Sequence, residues 1–390
     1  MLKNALIGLF SSLCFIGASE AQTVRVATFN VSMEATNYVK TNPSLDTLKS
    51  VLSNGDNQQV KNIAEIIQIV KPDIVLLNEF DYIPDPNLGI NAFVKHYLNV
   101  SQNGNPAIDY PYFYIAPVNT GVSSGVDLDN DGNASGKGAD AYGFGLYPGQ
   151  YGMAVLSRYP IDIQNVRSFQ QFKWKDMPKP SIPRYADGKP WYSEAAWDVF
   201  RLSSKSHWDI PVMVDGEAIH ILAMHPTPPV FDGDEDRNGK RNQDEIRMFA
   251  DYIGGNADAY LYDDNGKTGN LPANSRFVLV GDFNAADIGP RYRPNAIELL
   301  TNSPLVNNTL IPQSPGGAQN DEAEYSSRYT AYWGARADYV LPSKVGLKPI
   351  DGGVFWPAKE EALHRLVATR ADSSDHRLVW LDLAITPLEP

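Results

Sequence analysis

Short, nearly continuous apolar runs recur along the chain, each closed by polar or turn-forming residues. They cover Val24–Phe29, Ile74–Leu77, Met153–Leu156, Ile219–Met224, Phe277–Val280, Asp338–Leu341 and Leu378–Leu383. Runs this short, without polar alternation, predict strands covered on both faces. Between them the period changes to that of a helix. In Gln58–Val70, Val60, Ile63, Ala64 and Ile67 share one face, and Pro72 stops the helix. A second helix is predicted over Gln243–Ile253, with Ile246, Phe249, Ala250 and Ile253 turned inward. Strands alternating with helices predict an α/β architecture. Periodicity does not separate a doubly wound sheet from a sandwich of two sheets.

Three stretches break the pattern and read as insertions: the polar Thr36–Asn57, the Gly-, Asn- and Tyr-rich Ile83–Pro148, and Phe169–Ser206 with its Pro, Lys, Arg and Trp. None resembles a linker between two cores, and their aromatic content predicts ordered loops around a cleft. The 390 residues, 43% hydrophobic, are therefore read as one elaborated domain over 22–390. Residues 1–21 read as an export signal: Lys3, the apolar Ala5–Phe15, and a small-x-small site at Ser19-Glu20-Ala21. The expected location is periplasmic or secreted. The single cysteine, Cys14, falls inside that signal, which excludes disulfides, thiolate catalysis and cysteine metal sites from the mature chain. A net charge of −13 disfavours polyanionic partners such as duplex DNA, although bound cations or a local basic rim reverse the sign.

Polar residues collect where the apolar runs end. Asn30 follows Phe29, Glu79 follows Leu77-Asn78, and His225 follows Met224. Gly281-Asp282-Phe283-Asn284 closes the Phe277–Val280 run, Asp338 opens a strand, and Ser374-Asp375-His376 precedes the last one. Together with Tyr151-Gly152-Met153 through Arg158, this ordered series resembles the endonuclease/exonuclease/phosphatase superfamily across the whole mature chain. The superfamily's usual Gln-Glu is here Asn78-Glu79, which keeps the carboxylate and shortens the amide. The resemblance implies a DNase I-like α/β (α+β) fold, a four-layer sandwich of two mixed β-sheets flanked by helices, and hydrolysis of phosphate esters.

Chemistry assigns roles that agree with it. Glu79, supported by Asn30 and Asp375, would hold Mg²⁺ or Mn²⁺. His376 would act as base on water or hold a phosphate oxygen, with Asp338 fixing its tautomer. Asp282 and Asn284 would orient water and phosphate, and His225 would donate to the phosphate or leaving oxygen. Arg201, Lys205 and His207 form a compact basic segment suited to phosphate oxygens. Asp234, Asp236, Asn238 and Glu245 match an EF-hand loop pattern for Ca²⁺, although Pro226–Pro229 precludes the preceding helix. The competing reading is that this loop carries Arg241 or Asn242 toward the site. A third acidic stretch, Asp127-x-Asp129-x-Asp131-Gly132, has Gly138 at the closing position and reads as a solvated turn. The favoured function is an exported phosphoesterase acting on small or lipid-like esters. A secreted nuclease and a catalytically inactive Ca²⁺-binding exoprotein are the alternatives.

Overall fold

The computed structural model describes residues 22–388. The signal expected over 1–21 lies outside them. Among the described residues, eleven strands form two sheets. The first has the order β10 (Leu347–Val354), β11 (Val379–Ile385), β1 (Thr23–Met33), β2 (Ile74–Phe80), β4 (Met153–Ser157), β3 (Tyr112–Tyr114). The second has the order β5 (Arg167–Ser168), β6 (His207–Val214), β7 (Glu217–Met224), β8 (Arg276–Asp282), β9 (Asp338–Pro342). Both are mixed: β1 and β2 run parallel in one, β7 and β8 in the other, and all remaining neighbours are antiparallel.

Side-chain alternation builds the layers. Val278 and Val280 join the core that holds Phe29, Leu76 and Val155 of the other sheet. Phe277 and Leu279 point the opposite way, into a second core with Ile246, Phe249 and Ile297 from helices. This explains the unbroken apolar run 277–280: both faces are covered, so neither needs a polar residue. The predicted helix Gln58–Val70 is present, started by the Asn57 side chain accepting from Val60 N and ended at Lys71 in a left-handed conformation. It packs Val60, Ile63, Ala64 and Ile67 on the first sheet. The second helix runs further than predicted, Arg237–Gly254, ending at Gly255 with φ 77°. No helix among the described residues is long and apolar enough to cross a membrane.

Each sheet has its parallel pair near the centre, and the C-terminal ends of both pairs meet at one rim. Asn30 is paired with Asn78 just before the β1–β2 register shift, and Ala223 with Val280 is the last pair of β7 and β8. Hydrogen bonds tie the two rims together. Asn30 Nδ2 donates to Asp282 Oδ2 at 3.1 Å, and Asp282 N donates to Asn78 Oδ1 at 3.2 Å.

Candidate active site

Backbone irregularities aim the functional side chains. The β1–β2 register shifts between Asn30 and Met33, so two residues of β1 oppose Glu79 alone. Ser32 (φ 47°) and Glu79 (φ 57°) are both left-handed at this bulge. Each such residue costs about 1–3 kcal/mol, a strain that recurs at functional sites. On the other sheet, Gly281 (φ 147°) passes so close to β7 that a Cβ would lie 1.9 Å from Met224 O. Only glycine lets Asp282 follow at this spot. Asn284, left-handed at φ 51°, then turns its backbone N–H back to Asp282 Oδ1 at 3.0 Å.

Asp282 Oδ2 is the centre of the arrangement. Besides Asn30 it lies 3.4 Å from His225 Nε2 and 3.6 Å from His376 Nε2. The His376 Nδ1 donates to Asp338 Oδ2 at 2.8 Å, and Thr330 Oγ1 donates to the same oxygen at 2.7 Å. The β8–β9 register sets Asp338 opposite Asp282. His225 Nδ1 is buried without a partner. Burial pushes the Asp282 carboxyl up to about 7; the His376 charge opposes this, and Asp338 and Glu79 add to it. Burial pulls His376 down, but the Asp338 and Asp282 charges outweigh it and hold the imidazole well above its ordinary value. Burial, reinforced by the Lys205 and His376 charges, holds His225 well below its ordinary value.

The other side of the site is acidic. Burial and the Asp375 charge raise Glu79, against a bond from Asn30 and the His376 charge. Asp375 accepts from Ser32 Oγ at 3.1 Å and stands 3.5 Å from Arg370. Oxygens of Glu79 and Asp282 and a nitrogen of His225 lie within 4.8 Å of one another. Asn30 keeps its carbonyl oxygen on Ser32 N at 3.2 Å. Part-buried Glu79 and Asp375, buried Asp282 and the Asn30 amide are a donor set that fits a hard divalent cation such as Mg²⁺ or Mn²⁺. A cavity of about 590 Å³ opens over Glu79, Asp282 and His376. Its rim carries Trp333, edge-on to His376, with Arg291 stacked 4.7 Å from the Trp333 ring. Phe231, 88% exposed, stands on the opposite lip.

Several expected contacts are not made. His207 is fully buried, with Nδ1 on Ser203 Oγ and Nε2 on Glu245 O, and burial lowers its pKa to about 3. Both its ring nitrogens are satisfied inside the protein, and it does not line the cavity. Arg241 is buried against the Phe200 ring and donates to the carbonyls of Leu202, Tyr142 and Arg201. Arg201 donates to Asn119 Oδ1 and stacks on Tyr142. Of the basic segment only Lys205 is near enough for its charge to act on Glu79 and Asp282, and it does not line the cavity. Burial lowers its pKa against the opposing charges of Glu245, Glu79 and Asp282.

The EF-hand pattern is also overturned. Arg237 onward is helix, so Asn238 to Glu245 rise along an axis and cannot wrap an ion. Glu245 instead clamps two loops, accepting from Ser204 N and Thr227 N at 2.6 Å each. Asn242 ties the His225 and Asp282 loops by donating to Thr227 O and Phe283 O. Asp127 and Asp129 lie with Asp140, not with Gly138, and their oxygens come within 4.8 Å of one another. Asp140 there already accepts from Leu128 N and Ser135 N.

Sequence reasoning missed Thr330, Trp333 and Arg370, which no motif marks, and it undervalued Asn78. Its amide oxygen accepts from Thr28 Oγ1 and Asp282 N, so the shortened side chain still joins the sheets.

Comparison with known proteins fits this geometry. The profile of the Endonuclease/Exonuclease/phosphatase family matches residues 27–376. Among solved structures, an endonuclease/exonuclease/phosphatase from Beutenbergia cavernae DSM 12333 is similar at 17% identity and TM-score 0.51, covering 94% of this chain and 72% of that one. A family protein from Leptotrichia buccalis C-1013-b aligns at 15% identity and TM-score 0.45, over 94% of this chain and 100% of that one. Sphingomyelinase C from Streptomyces griseocarneus aligns at 15% identity and TM-score 0.47, over 93% and 99%. Comparison with curated proteins by sequence finds no match. With its profile match spanning most of the chain and its two-sheet fold closing on these carboxylates and imidazoles, the chain belongs to the Endonuclease/Exonuclease/phosphatase family of metal-dependent phosphoesterases.

Proposed function

We propose that the chain is an exported enzyme that hydrolyses a small or lipid-like phosphate ester by direct attack of water on phosphorus. The observation that carries this reading is Asp282 Oδ2 between the Nε2 atoms of two unlike imidazoles at the floor of the cavity. A carboxyl raised to about 7 ionises near neutral pH and so accepts a proton from water there. His376, kept cationic by Asp338 and Asp282, donates to a phosphoryl oxygen as charge builds. His225, kept neutral, adds a donor of lower charge. Glu79, Asp375 and Asn30 would hold a divalent cation, which when bound offsets the negative charge of the phosphoryl group. Lys205, whose charged form burial disfavours, acts on Glu79 and Asp282 through its charge.

The net charge of −13 and the apolar lip of Pro228, Pro229, Val230 and Phe231 favour a compact or lipid-like ester over a polyanion. The export signal over 1–21 supports action outside the cytoplasm. A substrate panel on the mature protein, run with Mg²⁺, Mn²⁺ and Ca²⁺, tests this. It contains a phosphomonoester, a phosphodiester, a phospholipid and plasmid DNA. Turnover of a small ester or the lipid is expected only with added cation. Full activity after chelation, or activity on DNA alone, contradicts the proposal.

A further inference from the structure

Two arginines line the cavity, and the structure uses only one of them. Arg293 donates to Pro229 O at 2.7 Å and stands 3.8 Å from Asp236. Two further arginines close by are also paired, Arg336 with Asp287 at 2.6 Å and Arg370 with Asp375 at 3.5 Å. Arg291 makes neither a hydrogen bond nor an ion pair among the described residues. Its directed contact is the Trp333 ring, 4.7 Å from the guanidinium carbon. In a chain of net charge −13, carboxylate partners are not scarce.

Both members of this stack are tied to the catalytic loops. Ala331, two residues before Trp333, is bridged to His376, and Tyr332 N donates to Asp375 O at 2.9 Å. The Trp333 ring then lies edge-on to His376, with centroids 6.0 Å apart. Arg291 sits on the loop that continues from Asn284, closed where Ala286 is bridged to Tyr292 and Arg293 N donates to Ala286 O at 2.9 Å. A guanidinium laid on an aromatic face keeps its N–H edge free for the fork that matches a carboxylate or phosphate. Fixing the plane beforehand lowers the entropy lost on binding. The guanidinium stands one aromatic ring outward from His376, where the organic part of a bound ester extends.

We propose that Arg291, held on Trp333, is a specificity-determining residue that binds a second anionic group, a carboxylate or a phosphate, on the organic part of the ester. This rests on the reading of the cavity as a phosphoesterase site. The net charge of −13 works against a more anionic substrate, so a preference for one requires a local cation.

The test measures kcat and KM of the full mature chain, with saturating Mn²⁺, on three esters matched in shape: para-carbamoylphenyl phosphate, para-carboxyphenyl phosphate and para-phenylene bisphosphate. Each is also offered as its methyl diester. The native protein should show a KM about tenfold lower for the anionic members than for the amide, the scale of one charge-assisted hydrogen bond. Whichever of the two has the lower KM identifies the group as carboxylate or phosphate. Arg291→Gln should bring the KM values together, with circular dichroism showing the same fold. Arg291→Lys keeps the charge without the fork and should retain part of the preference. An undiminished preference in Arg291→Gln overturns the proposal. So does an equal fall in kcat on every ester with the preference intact, which would put Arg291 on the scissile phosphoryl group. Turnover of all the esters by the native protein without preference overturns this proposal alone. No turnover of any overturns the phosphoesterase reading with it. The native preference decides even where a variant fails to fold.

Discussion

Two imidazoles approach one carboxylate oxygen from different regions of the molecule, and their surroundings make them opposites. His225 comes from the end of β7, with Nδ1 unpartnered and positive neighbours in Lys205 and His376. His376 comes from the loop before β11, with Nδ1 on Asp338 and Thr330 bracing that carboxylate. Burial acts on both in the same direction, so burial does not distinguish them. The difference is a carboxylate behind one ring and none behind the other. One site thereby holds a neutral and a charged donor about Asp282, a division of labour available without any change of residue type.

Removing the shared carboxylate tests the comparison most severely. Asp282→Asn should lower kcat by about 10²–10⁴-fold, the usual worth of a positioned base. A loss of only a few-fold would mean that the base lies elsewhere. His376→Ala should cost about 10²–10³-fold, the scale for one preorganised donor to a developing charge. Asp338→Asn leaves the ring in place and should cost about 10–100-fold. It should also move the alkaline limb of the pH profile to lower pH, because the support that raises His376 is gone. An unmoved limb would detach Asp338 from His376. His225→Gln should cost about tenfold, one hydrogen bond to a charged group, and leave the pH profile in place. A shifted limb there would contradict a neutral His225.

The smallest effect is on stability of the chelated protein. Asp282 is raised to about 7 from an ordinary 3.8, so its contribution is complete at acid pH and is lost as pH rises through 7. His376, also raised, loses its contribution as pH rises. His225, lowered, acts in the opposite sense: its contribution is present above the ordinary imidazole value and lost on acidification. The melting temperature should therefore fall between pH 5 and pH 8, and more shallowly in Asp282→Asn. A steeper fall in that variant would reverse the sign assigned to Asp282.

Much of this was legible in the sequence, because a strand buried on both faces is unmistakable and so is a polar residue where it stops. Glu79, His225, Asp282, Asp338 and His376 were found that way, and the structure gathers them at one rim. The basic segment failed as a pattern. Lys205 and His207 are two residues apart at the entry to β6, where both side chains are buried: one acts on Glu79 and Asp282 only through its charge, and the other is enclosed beside Phe249. The two acidic motifs failed in complementary ways. Asp234–Glu245 has every expected residue, but its middle continues into an amphipathic helix whose buried face decides the conformation. Asp127–Asp131 lacks a carboxylate at the expected step and finds one at Asp140 through loop folding, which spacing does not encode. Thr330 and Trp333 act through position alone, so no residue type marked them.

The most direct test of the central claim is the kcat–pH profile of the native protein and of Asp282→Asn, each at saturating Mg²⁺ or Mn²⁺ and saturating ester. The native profile should show an acid limb set by ionisation of Asp282, and the variant should keep a low rate without that limb. An identical acid limb in both would contradict Asp282 as the group that takes the proton from water.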